Sequence, residues 1–291
     1  MAQRVCMVTG ASSGIGKETS KKLAELGATV VMVCRSQKRG ERAMSEIKGV
    51  SGTSTVELLL ADFASLDSVR AMARRFLEKH DSLHVLVNNV GGVGLMRSVT
   101  TDGFETTFQV DYLSHFLLTN LLLEVLKKSA PSRIINVSSA SHYGGHVNFD
   151  DLQMKKRYGV MKAYSQAKLA QVLFTYELSR RLEGTGVTVN SLHPGSVATN
   201  IWKGSMGPFS FLGNISRLFL ISPEEGAETP VYLASSPEVE AASGKYYDHK
   251  REKQSSPESH DQAIAKRLWD ESEKMTGLST YQGSSPSPRT A

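Results

Sequence analysis

Short apolar runs alternate with longer stretches in which apolar positions recur every three or four residues. RVCMVTG (4–10) is the first apolar run and ends in glycine, and KETSKKLAELG (17–27) follows with helical spacing and a glycine stop. ATVVMVCR (28–35), TVELLLADF (55–63), LHVLVNNVGG (83–92), SRIINVSSAS (132–141) and VTVNSLHPG (187–195) read as further strands. Between them the spacing predicts helices over 37–49, 66–80, about 103–128 and about 161–183. Strands apolar on both faces, alternating with helices, belong to a parallel sheet covered on both sides. The expected fold is α/β: a single-domain, Rossmann-type, doubly wound parallel sheet over residues 1–279. The Ser/Pro-rich segment 280–291 is expected to be a disordered tail. No internal repeat is present.

Composition narrows the classes little. The chain has 291 residues, 40% hydrophobic and 22% charged, as an ordinary globular protein has. A net charge of +5 with no dense Lys/Arg block gives no case for nucleic acid. Cys6 and Cys34 sit in separate strand runs without a CxxC pair, which argues against a zinc site or a disulfide framework and fits a reducing, cytoplasmic setting. The N-terminus lacks a signal-peptide stretch, and FLLTNLLLEVL (116–126) is interrupted by Thr119, Asn120 and Glu124, so it reads as a buried helix and no transmembrane segment is expected.

Chemistry gathers at strand ends. GASSGIG follows the first strand, NNVGG the fourth, SSAS the fifth and HPGSVAT the sixth. Ligands of open parallel sheets bind at this edge. Gly10, Gly14 and Gly16 permit a tight turn and a close backbone approach to a pyrophosphate resting on a helix N-terminus. After the second strand, an acidic residue would favour NAD(H). The chain instead has Arg35, with Lys38 and Arg39 close behind, and a guanidinium suits a 2′-phosphate. NADP(H) is therefore the expected cofactor. Further on, Tyr164 and Lys168 stand four positions apart, neighbours on one helical face.

TGASSGIG, NNVGG, NVSS, YSQAK and HPGSVAT, in this order, make the chain similar to the short-chain dehydrogenase/reductase family over roughly residues 4–277. GIGKETSKKLAELGATVVMVCR, HFLLTNLL, FTYELSRRL and AIAKRLWDESEKMTGL resemble its retinol dehydrogenase-like branch, as do the 25 positions between Ser139 and Tyr164. The resemblance implies hydride transfer between NADP(H) and a small-molecule carbonyl/alcohol pair, with an apolar, retinoid-like substrate and a homodimer or homotetramer. Tyr164 would act as general acid/base, since a free phenol titrates near 10 and a nearby cation favours phenolate. Lys168 would supply that charge and bind the nicotinamide ribose.

By the same resemblance Ser139 would hold the substrate oxygen, with Ser138 an adjacent rival. Gly10, Ser12, Gly14, Ile15 and Gly16 would line the pyrophosphate and ribose path. Asp62 would contact adenine, Asn88 and Gly91 the adenosine ribose, and Pro194, Gly195, Val197 and Thr199 the carboxamide. Residues about 200–224, rich in Phe, Leu, Trp and Gly, would form a substrate lid.

One departure stands out. VDYLSHF puts Asp111 where the family commonly has asparagine, so a carboxylate could still accept from a relay water while weakening the effect of Lys168. This departure sustains a rival reading, a cofactor-binding regulatory or assembly protein with little catalysis. His115, His142 and His146 show no zinc spacing, and the last two are expected in a solvated loop.

Overall fold

The computed structural model describes residues 1–51, 55–195 and 221–278. Its strands are β1 (Val5–Thr9), β2 (Thr29–Cys34), β3 (Val56–Leu60), β4 (Val85–Asn88), β5 (Ser132–Val137), β6 (Val187–His193), β7 (Lys245–Asp248) and β8 (Arg251–Glu252). They form one sheet in the order β3-β2-β1-β4-β5-β6-β7-β8. All neighbours run parallel except β7 and β8. The last two strands have no counterpart in the sequence pattern. KYYD is four residues with polar ends, and the Arg-Glu pair of β8 is exposed, so neither makes an apolar run.

The helices are α1 (Gly14–Glu25), α2 (Gln37–Ser51), α3 (Leu66–Lys79), α4 (Thr106–Phe108), α5 (Ser114–Leu121), α6 (Leu123–Lys128) and α7 (Val160–Arg181), with further helices at Pro223–Gly226, Glu228–Ser235 and Gln262–Thr276. Strand alternation divides the core in two. Met7, Val31, Leu86 and Ile134 face Phe76, Phe116, Leu173 and Trp269, which come from α3, α5, α7 and the C-terminal helix. Val8, Met32, Val87 and Ile135 face Leu23, Ile47 and Leu233 on the other side. Both faces are covered, which is why these strands read as continuous apolar runs.

The predicted long helix over 103–128 is broken. It begins at α4, where the Glu105 carboxylate caps the Thr107 and Phe108 N–H groups. Residues Gln109–Leu113 form a wide π-type turn, and α5 and α6 follow. Such turns insert a residue into the helical ladder and re-aim side chains. Here the turn carries Asp111, wholly buried, whose carboxylate accepts the Gly92 N–H at 2.9 Å. Helical periodicity does not reveal this, because an inserted residue leaves the apolar spacing on either side intact.

The strand order reverses at β1 and β4. The loops after these two strands lead to helices on opposite faces and leave a crevice at the carboxyl edge of the sheet.

Candidate active site

The crevice opens into a cleft of about 660 Å³. At one end lie Arg35, Arg39 and Asp62; along the floor, Gly10, Ser12, Gly14, Ile15 and Gly16; at the far end, Gly91, Asp111, Tyr164, Lys168 and Pro194. The fold thus gathers residues from six strand ends into one groove.

The floor is shaped to receive a ligand closely. Gly10 and Gly14 adopt left-handed backbone (φ 70° and 59°). A Cβ on Gly16 would lie 2.5 Å from both the Gly10 carbonyl oxygen and Asn89 Nδ2. Ser13, the N-cap of α1, makes no side-chain cap bond and the first turn holds no acidic residue, so the helix start presents N–H groups and partial positive charge to the cleft. These features fit a dinucleotide pyrophosphate. Gly16→Ala is expected to destabilise the fold by about 1–3 kcal/mol, as overpacking does. Dinucleotide binding should weaken with it. Denaturant melts and cofactor titration of the variant check both.

At the end lined by Arg35 and Asp62, Arg39 donates to Ser13 Oγ at 3.1 Å and so ties the start of α2 to the glycine loop. Asp62 is held in a local turn, accepting the Ala64 N–H at 3.0 Å.

At the other end the Tyr–Lys pair does share one face of α7. Lys168 is 3% exposed, and its Nζ lies 5.5 Å from the Tyr164 ring centroid. Nζ donates to the Val137 carbonyl at 3.2 Å and to Gln171 Oε1 at 3.1 Å, and it stands 3.4 Å from Asp111 Oδ2. Gly91 passes directly over this group, since a Cβ there would meet Lys168 Nζ at 2.9 Å and Asp111 Oδ2 at 3.1 Å. His115, behind them, is buried, touches Gln171 Nε2 through Nδ1 at 3.3 Å and is held neutral, its pKa pushed down to about 3 by burial and then by the Lys168 charge.

Burial pushes the Asp111 pKa up to about 6, against a smaller opposing pull from Lys168 and the Gly92 N–H. The folded state therefore holds a proton that the unfolded chain releases near pH 4, so this group's contribution to stability falls as pH rises from about 4 through about 6. Two pKa units correspond to about 3 kcal/mol. Urea melts of wild type and Asp111→Asn should diverge by an amount of that order between pH 4 and pH 7, moving in favour of the variant as pH rises.

Several expected site residues lie elsewhere. Asn88 does not line the cleft: it is the last residue of β4 and faces the α5 and α7 layer, where its Nδ2 donates to Thr119 Oγ1 at 2.9 Å and Asn136 Oδ1 at 2.8 Å. Asn89, pointing the opposite way, lines the cleft and donates to the Thr9 carbonyl at 2.8 Å. The two-residue alternation of a strand was the signal that separates them. Ser139 is not in the cleft lining and accepts the Ser141 N–H at 3.2 Å and donates to Ser141 Oγ at 3.3 Å, while Ser138 lines the cleft and donates to the Lys168 carbonyl at 2.8 Å. Gly195 is outside the lining, with φ 89° and no space for a Cβ beside Ile221. Val197 and Thr199, most of the expected lid, and the tail at 280–291 lie outside the described residues. His142 is not solvated. It is fully buried, its Nδ1 bonded to the Ser139 carbonyl at 2.7 Å and its Nε2 accepting the Ser256 N–H at 3.1 Å. His146 is exposed and pairs with Glu258.

A groove of this shape, with a buried ammonium behind a half-buried phenol, is that of a dinucleotide-dependent oxidoreductase. The model of the family described as short chain dehydrogenase matches residues 4–206, and the chain belongs to that family. It is an oxidoreductase that transfers a hydride between NAD(P) and the CH–OH group of a small molecule. The chain is 46% identical to retinol dehydrogenase 13 of Mus musculus over 97% of its own length and 86% of that protein's. It is 45% identical to retinol dehydrogenase 14 of Homo sapiens, covering 96% and 88%. Among solved structures, an uncharacterized protein from Mycobacterium paratuberculosis superposes with a TM-score of 0.77 at 33% identity, covering 95% and 94% of the two chains. The Pseudomonas aeruginosa RhlG/NADP active-site complex gives 0.69 at 25% identity, covering 84% and 94%. Among the described residues, no helix is long and apolar enough to cross a membrane.

Proposed function

We propose that the chain is an NADP(H)-dependent dehydrogenase/reductase of an apolar aldehyde or ketone and its alcohol, with a retinoid-like molecule the leading substrate class. The observation that carries the chemistry is Tyr164 over Lys168 at the inner end of the cleft. Arg35 and Arg39 at the opposite end support the phosphorylated dinucleotide. The names of the relatives supply the retinoid class.

A bound nicotinamide cofactor would supply or accept the hydride of the carbonyl/alcohol pair. Tyr164 Oη donates the proton to the carbonyl oxygen as that oxygen gains charge, and in oxidation it takes the proton back. Lys168, buried and anchored by Val137 and Gln171, holds its Nζ near the Tyr164 ring. Ser139 is the second donor to the substrate oxygen. Its proton goes to a long bond to Ser141 Oγ, whereas the Ser138 proton is spent on the α7 backbone. Gly10, Ser12, Gly14, Ile15 and Gly16 take the pyrophosphate, Asp62 and Asn89 the adenosine end, and Pro194 the carboxamide side.

The test is steady-state NADPH oxidation with retinal and with aromatic and aliphatic aldehydes, NADH in parallel. Turnover with retinal and NADPH above the other pairs is expected. Tight NADPH binding without turnover of any carbonyl would overturn the proposal.

A further inference from the structure

The motif lysine in this chain is not alone. Its ammonium lies 3.4 Å from Asp111 Oδ2, nearer than the 5.5 Å to the Tyr164 ring centroid, and both charged side chains are nine-tenths or more buried. Burial reduces the solvent screening that a surface pair would have, so each charge acts on the other more strongly than it would in water. Asp111 Oδ1 is anchored by the Gly92 N–H, while Oδ2 makes no hydrogen bond and keeps only this electrostatic contact. The other titratable groups facing the pair are few: Tyr164 on α7, His115 one turn beyond Asp111, and Glu105 ahead of α4. His115 is neutral and Glu105 adds negative charge, so among the described residues no further cation beside Asp111 restores the positive field.

We propose that Asp111 is a positioning residue that offsets the charge of Lys168 at the phenol, so that the site is poised to give a proton (carbonyl reduction) rather than to take one (alcohol oxidation). The inference rests on Tyr164 being the acid/base group. In the reductive direction a hydride reaches the carbonyl carbon, the Tyr164 proton reaches the oxygen, and solvent returns a proton to the phenolate. In the oxidative direction the phenolate must form first, and a carboxylate beside Lys168 opposes it. Asparagine here would keep the Gly92 bond and remove the opposing charge.

The experiment compares wild type, Asp111→Asn and Tyr164→Phe in both directions across pH, with NADP(H) saturating. In Asp111→Asn the rising limb of alcohol oxidation should move to lower pH by about one unit, the low end of what a neighbouring charge does. The kcat for oxidation at pH 7 then gains about tenfold, and the kcat for reduction at pH 7 changes far less. The two enzymes should converge as pH falls below about 6, where Asp111 takes up a proton. A tyrosinate absorbance titration, read as each protein minus its Tyr164→Phe form, should shift in the same sense and needs no turnover. Where Asp111→Asn fails to fold, Asp111→Ser serves in its place. A limb that stays put, or an equal loss in both directions, overturns the inference. Undiminished turnover in Tyr164→Phe overturns instead the reading on which it stands.

Discussion

Tyr164→Phe is expected to lower kcat/KM for carbonyl reduction by about 10²–10⁴, the range that a positioned general acid contributes. Phenylalanine keeps the ring that packs over Lys168 and removes only the hydroxyl, so the fold and cofactor binding should be little changed. Lys168 Nζ holds Val137 and Gln171 regardless of what lies above it, and α7 keeps its buried face. The loss should appear in kcat, with the dissociation constant for NADPH moving less than about threefold, because the effect is confined to the transition state. Steady-state kinetics with fluorescence titration of NADPH separates the two. A variant that turned over at more than a tenth of the wild-type rate would take the acid/base role away from Tyr164.

The second large effect concerns the cofactor. Replacing Arg35 and Arg39 together by serine should weaken NADPH by about tenfold to a hundredfold while leaving NADH nearly unchanged, because hydrogen bonds to charged groups contribute about 1.5–3 kcal/mol each and exposure reduces that figure. Both guanidinium groups are exposed at the cleft mouth. Arg39 also reaches Ser13 on the glycine loop, so the single Arg39→Ser variant should soften both dinucleotides slightly, and Arg35→Ser only the phosphorylated one. The ratio of kcat/KM for NADPH over NADH, measured at several salt concentrations, is the readout. A ratio unaffected by the double change would assign the 2′-phosphate, or the preference itself, to other residues.

Much of this architecture is legible in the sequence. Six of the eight strands among the described residues are visible because apolar residues recur along each, as burial on both faces of the inner strands requires. The glycine loop was visible because Gly10 and Gly14 need left-handed backbone and Gly16 needs the absence of a side chain. The last two strands are not, since β7 and β8 are short and polar-ended. Motif position points to Asn88, whereas strand alternation turns the Asn88 side chain toward Thr119 and Asn136 and places Asn89 in the cleft lining. His142 looked like a loop histidine because its two partners, the Ser139 carbonyl and the Ser256 N–H, come from segments that local pattern cannot bring together.

The sequence by itself determined whatever depends on neighbours within a few positions. Backbone sterics and helical period put Tyr164 and Lys168 on one face, set the turn after β1 and alternate the strand faces. Only the tertiary structure decided the contacts between distant segments. The reversal of strand order at β1 and β4 opens the cleft, the wide turn at Gln109–Leu113 aims Asp111 at Lys168, and α2 carries Arg39 to Ser13. Such contacts follow from how helices pack over a twisted sheet, and no spacing along the chain encodes a distance across it.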